Sequence, residues 1–189
     1  EVAMHANIGL PIAEVDYLVA EIQTQGVVSV ANHNSELQIV ITGSPEPVEK
    51  VSQLAVQKGA RSIPLKVSGA WHSELIKGAE QEFKEFLARV DFNPPEKSIA
   101  LNVTANISTE AHEIKEIMGR QLCSPVKWYD CMVNLIEDKT ETFVEVGPGQ
   151  TLSGFVGRQP DPTDSVATME ARESEEDGDE RKVALEALG

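Results

Sequence analysis

A chain of 189 residues is long enough for one domain with a good core or for two small ones, and its 41% hydrophobic and 25% charged residues are ordinary for a globular protein. Its formal net charge of −15 argues against nucleic acid or an anionic membrane as partner. No apolar run approaches the roughly 20 residues that span a bilayer, and nothing resembles a signal peptide.

In chain order, residues 3–10 alternate enough for a strand, closed by Gly9 and Pro11. Ile12, Val15, Leu18, Val19 and Ile22 recur at helical spacing and predict an amphipathic helix ending near Gly26. Two β-branched runs follow, 27–31 and 37–42, joined by the polar residues 32–36 as a hairpin connection. Ser44 and Pro45 open a second helix, with Ser44 as N-cap and Pro45 where a missing N–H costs nothing. Its buried face is Val48, Val51, Leu54 and Ala55, and Gly59 ends it. Residues 61–67 form a last strand, which Pro64 directs to a sheet edge. The order is β-α-β-β-α-β, a ferredoxin-like arrangement over residues 1–68.

Residues 69–158 read as a second part. Leu75, Ile76, Ala79, Phe83, Phe86 and Leu87 mark a long helix that stops before Asn93-Pro94-Pro95. Residues 98–103 read as a buried strand, and Ser108 or Thr109 caps a helix through Ile114, Ile117, Met118 and Leu122. Ser124-Pro125 starts another helix, with Trp128, Met132, Val133 and Ile136 inward. Residues 142–146 form a short strand, and Gly147-Pro148-Gly149 turns into a final helical turn. That glycine-rich turn reads either as a tight structural turn, the favoured reading, or as an anion-binding loop. Alternating helices and strands indicate α/β layering, with too few strands for a complete sheet. Residues 159–189 carry ten acidic against three basic side chains and read as a disordered acidic tail. Cys123 and Cys131 lack metal-ligand spacing, so free thiols in a reducing cytoplasm are expected.

The stretch 67–76 carries the chemistry. A β-branched run ends in Ser68-Gly69-Ala70, then come Trp71 and His72, with Ser73 placed to cap the next helix. A histidine held at such a junction can act as a general base near neutral pH, although a capped surface or core histidine is the commoner case. His5, His33 and His112 are placed on strand, turn and helix surface, with no chemistry assigned.

Residues 32–43, 67–73, 121–128 and 144–149 together resemble, in content and order, the C-terminal half of malonyl-CoA:acyl carrier protein transacylases, over roughly residues 2–158. The resemblance implies a ferredoxin-like subdomain followed by the C-terminal part of an α/β-hydrolase-like acyltransferase domain, with the active site in the cleft between them. It implies transfer of malonyl from coenzyme A, by way of a serine acyl-enzyme, to the phosphopantetheine thiol of acyl carrier protein. No cofactor is implied, with malonyl-CoA the substrate. His72 matches the family's catalytic histidine, and Gln121 the residue whose backbone carbonyl accepts the histidine's other N–H. Asn34 and Trp71 are candidate substrate-side residues; Trp71 stands where phenylalanine is common and should narrow the acyl pocket toward malonyl. Lys66, Lys77 and Lys127 are candidates to meet an acidic carrier protein.

The chain departs from the family in one decisive respect: it has no Gly-x-Ser-x-Gly pentapeptide to present a nucleophile. The expectation is an N-terminally truncated piece, inactive alone, with the missing N-terminal half as partner. Two other readings stay open: a non-enzymatic ferredoxin-like module that binds a partner, and an acyltransferase domain of a polyketide synthase.

Overall fold

The computed structural model describes residues 1–157 and the strand Ser165–Met169 of the 189-residue chain. The remainder of the acidic stretch 159–189 lies outside the described residues. The chain divides into two compact units, one ending at Asn134 and one beginning at Leu135.

The first unit starts with β1 (Ala3–Ile8), α1 (Ile12–Ile22), β2 (Val28–Ser35), β3 (Gln38–Gly43), α2 (Pro45–Gln57) and β4 (Arg61–Pro64). Their sheet has the order β2-β3-β1-β4, with every neighbouring pair antiparallel. The helical periodicity is met: Val15, Leu18, Val19 and Ile22 of α1 and Val48, Val51 and Ala55 of α2 bury against Val28, Ile39 and Ile41. The other sheet face holds Met4, Ala6, Ala31 and Val40, with Ile63 and Val67 against them. β3 is therefore covered on both sides, which explains why its sequence is a continuous apolar run rather than an alternation. Each such side chain, fully buried, contributes about 1.5–3 kcal/mol. Pro64 does lie on an edge strand, where its missing N–H interrupts no ladder.

β2 is longer than the pattern predicts. It runs through the polar residues expected to form the hairpin connection, and the turn is confined to Glu36-Leu37. Register shifts between Val30 and Asn32 and between His33 and Ser35 accommodate them. His33 is consequently a strand residue only 6% exposed, not a surface turn residue.

Beyond β4 the backbone is less regular. A short 3-10 turn, Glu74–Ile76, precedes α3 (Lys77–Ala88). Of the strand expected at 98–103, β5 (Ile99–Ala100) pairs, with β6 (Ile107–Ser108). Leu101 and Val103 are buried as expected, but against Ile114 and Ile117 from a loop. That loop closes tightly, with Ala105 at φ 62 and its N–H bonded to the Leu101 carbonyl at 2.7 Å. The helix expected to reach Leu122 is split into α4 (Ala111–Met118) and a 3-10 turn, Gln121–Cys123. α5 (Trp128–Glu137) follows Pro125.

The second unit contains β7 (Thr142–Val146), α6 (Thr151–Val156) and β8 (Ser165–Met169), with β8 parallel to β7. β8 corrects the reading of 159–189 as wholly unstructured. Ser-Val-Ala-Thr-Met has strand-forming Val166 and Thr168, but five residues among acidic and proline neighbours give no visible period. The Gly147-Pro148-Gly149 turn brings the Glu145 carboxylate onto the start of α6. Glu145 accepts the N–H groups of Leu152 at 3.2 Å and Ser153 at 2.8 Å. The chain's own carboxylate thus occupies the place an external anion would take. Among the described residues no helix is long and apolar enough to cross a membrane.

Candidate active site

His72 sits where β4's run-out meets the turn before α3, and its backbone is unusual. Its φ of 64° is in the left-handed region, which costs a residue with a β-carbon about 1–2 kcal/mol. The surroundings hold it there. Its N–H donates to the Leu122 carbonyl at 3.0 Å. The buried Ser73 hydroxyl donates to Ala70 at 2.7 Å and accepts from the Leu75 N–H at 3.3 Å, the cap its position predicted.

The imidazole is clamped as well. Nδ1 lies 3.2 Å from the Gln121 carbonyl oxygen and 3.0 Å from that of Ser124. A carbonyl can only accept, so Nδ1 carries the proton and Nε2 presents its lone pair. Burial pushes the His72 pKa below its ordinary value, against the pull of the two carbonyl bonds. At neutral pH the ring is a neutral, oriented base.

His72 forms part of the wall of a cleft of about 710 Å³, with Gly26, Ser29, Ser73, Cys123 and Pro125 among its other lining residues. Burial, with Glu80 beside it, pushes the Cys123 thiol up to about 11, away from the thiolate form a nucleophile needs. The Ser29 hydroxyl is buried without a partner among the described residues. The structure brings Gln121 to His72 but leaves Asn34 and Trp71 out of the cleft lining. Asn34 lies further along β2, beyond the bulge after His33. Trp71 is 45% exposed and lies beside Gly69, where an added β-carbon would sit 3.3 Å from the indole.

Ser124 was missed by sequence reasoning. A backbone carbonyl has no residue signature, although the Ser124-Pro125 pair signals extended backbone at 124.

A family model described as "Acyl transferase domain" matches residues 10–172. The chain belongs to the acyl transferase domain family. Among individual acyl transferases, the malonyl CoA-acyl carrier protein transacylase of Bacillus subtilis (strain 168) is 40% identical over 158 residues, covering 82% of this chain and 50% of that protein. The protein of the same name from Escherichia coli (strain K12) is 35% identical over 169 residues, 89% of this chain and 55% of that protein. The crystal structure of FabD from Acinetobacter baumannii is similar with a TM-score of 0.85 at 34% identity, covering 89% of this chain and 54% of that one. A malonyl-transacylase in complex with a type II PKS acyl-carrier protein gives a TM-score of 0.81 at 31% identity, again over 89% of this chain and 54% of that one. The chain spans about half the length of the curated relatives it matches. As in those relatives, the fold mixes helices and sheet.

Proposed function

We propose that these residues are the base-bearing part of an acyl-carrier-protein S-malonyltransferase of fatty-acid biosynthesis. The observation that carries this is the His72 Nδ1 clamped by backbone carbonyls, with Nε2 left to take a proton. The nucleophile, a serine, lies outside the 189 residues: no Gly-x-Ser-x-Gly occurs in them, and they span about half of the relatives' length. In this reading residues 1–68 are a ferredoxin-like subdomain, supported by the order β2-β3-β1-β4, and 69–158 belong to an α/β-hydrolase-like domain. Residues 159–189 act as an acidic tail apart from β8. Malonyl-CoA and acyl carrier protein are the partners, by analogy with what the relatives are named for, and the cytoplasm is the compartment.

The chemistry follows from the geometry. His72 Nε2 accepts the serine proton as Oγ attacks the thioester carbonyl. The C–S bond breaks, and the leaving coenzyme A thiolate takes that proton from the imidazolium. In the second half, Nε2 accepts the proton of the carrier thiol as sulfur attacks the acyl-serine. The C–O bond then breaks, and the proton returns to the serine. Two neutral carbonyls stabilise the imidazolium less than a triad carboxylate, but a thioester is an activated donor and demands less. In this reading Asn34 and Trp71 stay substrate-side residues, although neither is among the residues lining the cleft.

The test supplies the serine-bearing segment, on the same polypeptide or as a separately expressed half, and follows malonyl adduct by intact mass. His72→Ala should slow adduct formation by on the order of 10²–10⁴-fold. The 189-residue chain alone should form none. A His72-dependent adduct on the chain alone would sink the placement of the nucleophile elsewhere.

A further inference from the structure

The Ser124 carbonyl is nearer to His72 Nδ1 than the Gln121 carbonyl, 3.0 Å against 3.2 Å, and its position is built from both sides. Upstream, the 3-10 turn Gln121–Cys123 is tied to His72 by the His72 N–H to the Leu122 carbonyl. Ser124 then leaves that turn in extended backbone, φ −114° and ψ 149°. A residue before proline is driven to this conformation, because the proline ring clashes with its helical alternative. Downstream, Val126 is bound to β2 by a parallel bridge. Its N–H donates to the Ala31 carbonyl at 2.8 Å, and its carbonyl accepts from the His33 N–H at 2.9 Å. The bridge falls at the β2 irregularity between Val30 and Asn32. Bulges of this kind re-aim a strand beside an active site.

We infer that Pro125, held by the Val126 bridge to β2, is a positioning residue for His72, acting through the Ser124 carbonyl as a second acceptor for Nδ1–H. The device links the four-stranded sheet directly to the orientation of the base. It rests on the reading of His72 as a base, but its test needs no turnover.

The experiment is nitrogen NMR of ¹⁵N-histidine in the whole chain at about pH 8, above the ordinary histidine value, where the two neutral tautomers are distinguished. Wild type should show the Nδ1–H form of His72. Pro125→Gly, which frees the Ser124 carbonyl to rotate, should bring in the Nε2–H form, whereas Ser124→Ala, which keeps backbone and proline, should not. A folded Pro125→Gly chain with the wild-type tautomer overturns the inference. Should that variant not fold, a ¹³C label at the Ser124 carbonyl decides. Its resonance should move on His72→Ala at least as far as that of Gln121, and no movement overturns the proposal. Transfer activity that survives His72→Ala in the complete enzyme would instead remove the base assignment, leaving the tautomer result to stand.

Discussion

In the sheet of β1–β4 the backbone satisfies itself strand against strand, with α1 and α2 closing one face over Ile39 and Ile41. Between Ala70 and Asn134 the ladder shrinks to the two-residue strands β5 and β6, and the helices α3, α4 and α5 are joined by 3-10 turns and loops. His72 and Ala105 adopt positive φ there, and the groups that clamp the imidazole are carbonyls at a turn rather than side chains. The regular region is the foundation; the irregular one exposes unpaired carbonyls that can be aimed. A ladder fixes the direction of its carbonyls along the sheet, whereas a turn can point them at a side chain.

The largest effect that would break this contrast lies in the regular region. Gly43 ends β3 at φ 150°, and a β-carbon there would lie 2.1 Å from the Val27 carbonyl oxygen. The atoms it would meet, the Val27 carbonyl group and the Val28 Cα, are all backbone, so nothing can swing aside. Gly43→Ala should cost about 3 kcal/mol or more, visible as a large drop in the thermal midpoint. A midpoint close to wild type would mean that the β2–β3 pairing is softer than its register implies.

The two regions also differed in how much the amino-acid sequence disclosed. Val15, Leu18, Val48 and Val51 announce helices by period, and Pro64 announces an edge, because burial against a regular partner imposes regular spacing. Leu101 and Val103 were legible as core but not as loop, since burial alone does not say whether a ladder partner exists. β2 outran its predicted end because bulges hide polar residues in a strand. At the site, His72 and Gln121 were legible through family resemblance. The Ser124 carbonyl was not, because it belongs to the main chain.

A smaller effect sharpens the contrast at His72 itself. If its left-handed backbone is strained and the surroundings hold it, glycine should tolerate the position better than alanine. His72→Gly should therefore be more stable than His72→Ala by about 1 kcal/mol, reversing the usual order in which alanine wins by lowering unfolded-state entropy. Denaturant unfolding of the two variants checks this. Equal midpoints would show that the φ of 64° carries no strain.

The smallest effect separates the histidines by pH. Burial lowers the pKa of His33, against the nearby carboxylates of Asp130 and Asp16, and burial lowers those of His5, against Glu49, and His72, against its two carbonyls. Each therefore binds its proton less readily folded than unfolded. Between the depressed folded values and the ordinary value of about 6.5, the unfolded chain holds more protons, so stability rises with pH through that window. The stabilisation is complete above about 6.5 and is lost as pH falls below it. Asp16, raised by burial with His33 opposing, contributes the opposite slope, its stabilisation being lost as pH rises. His33 offers the cleanest separation, because its ring packs against Tyr129, tilted by 33° with centroids 4.7 Å apart, while its Nε2 is buried without a partner among the described residues. His33→Phe keeps the ring contact, removes the orphaned Nε2 together with the Nδ1 that lies 3.7 Å from the Asp130 carboxylate, and should flatten the pH dependence while raising stability most at the acid end. An unchanged slope in that variant would assign the acid sensitivity to His5 and His72, and would place it at the strand–helix face and the cleft rather than at the contact between β2 and α5.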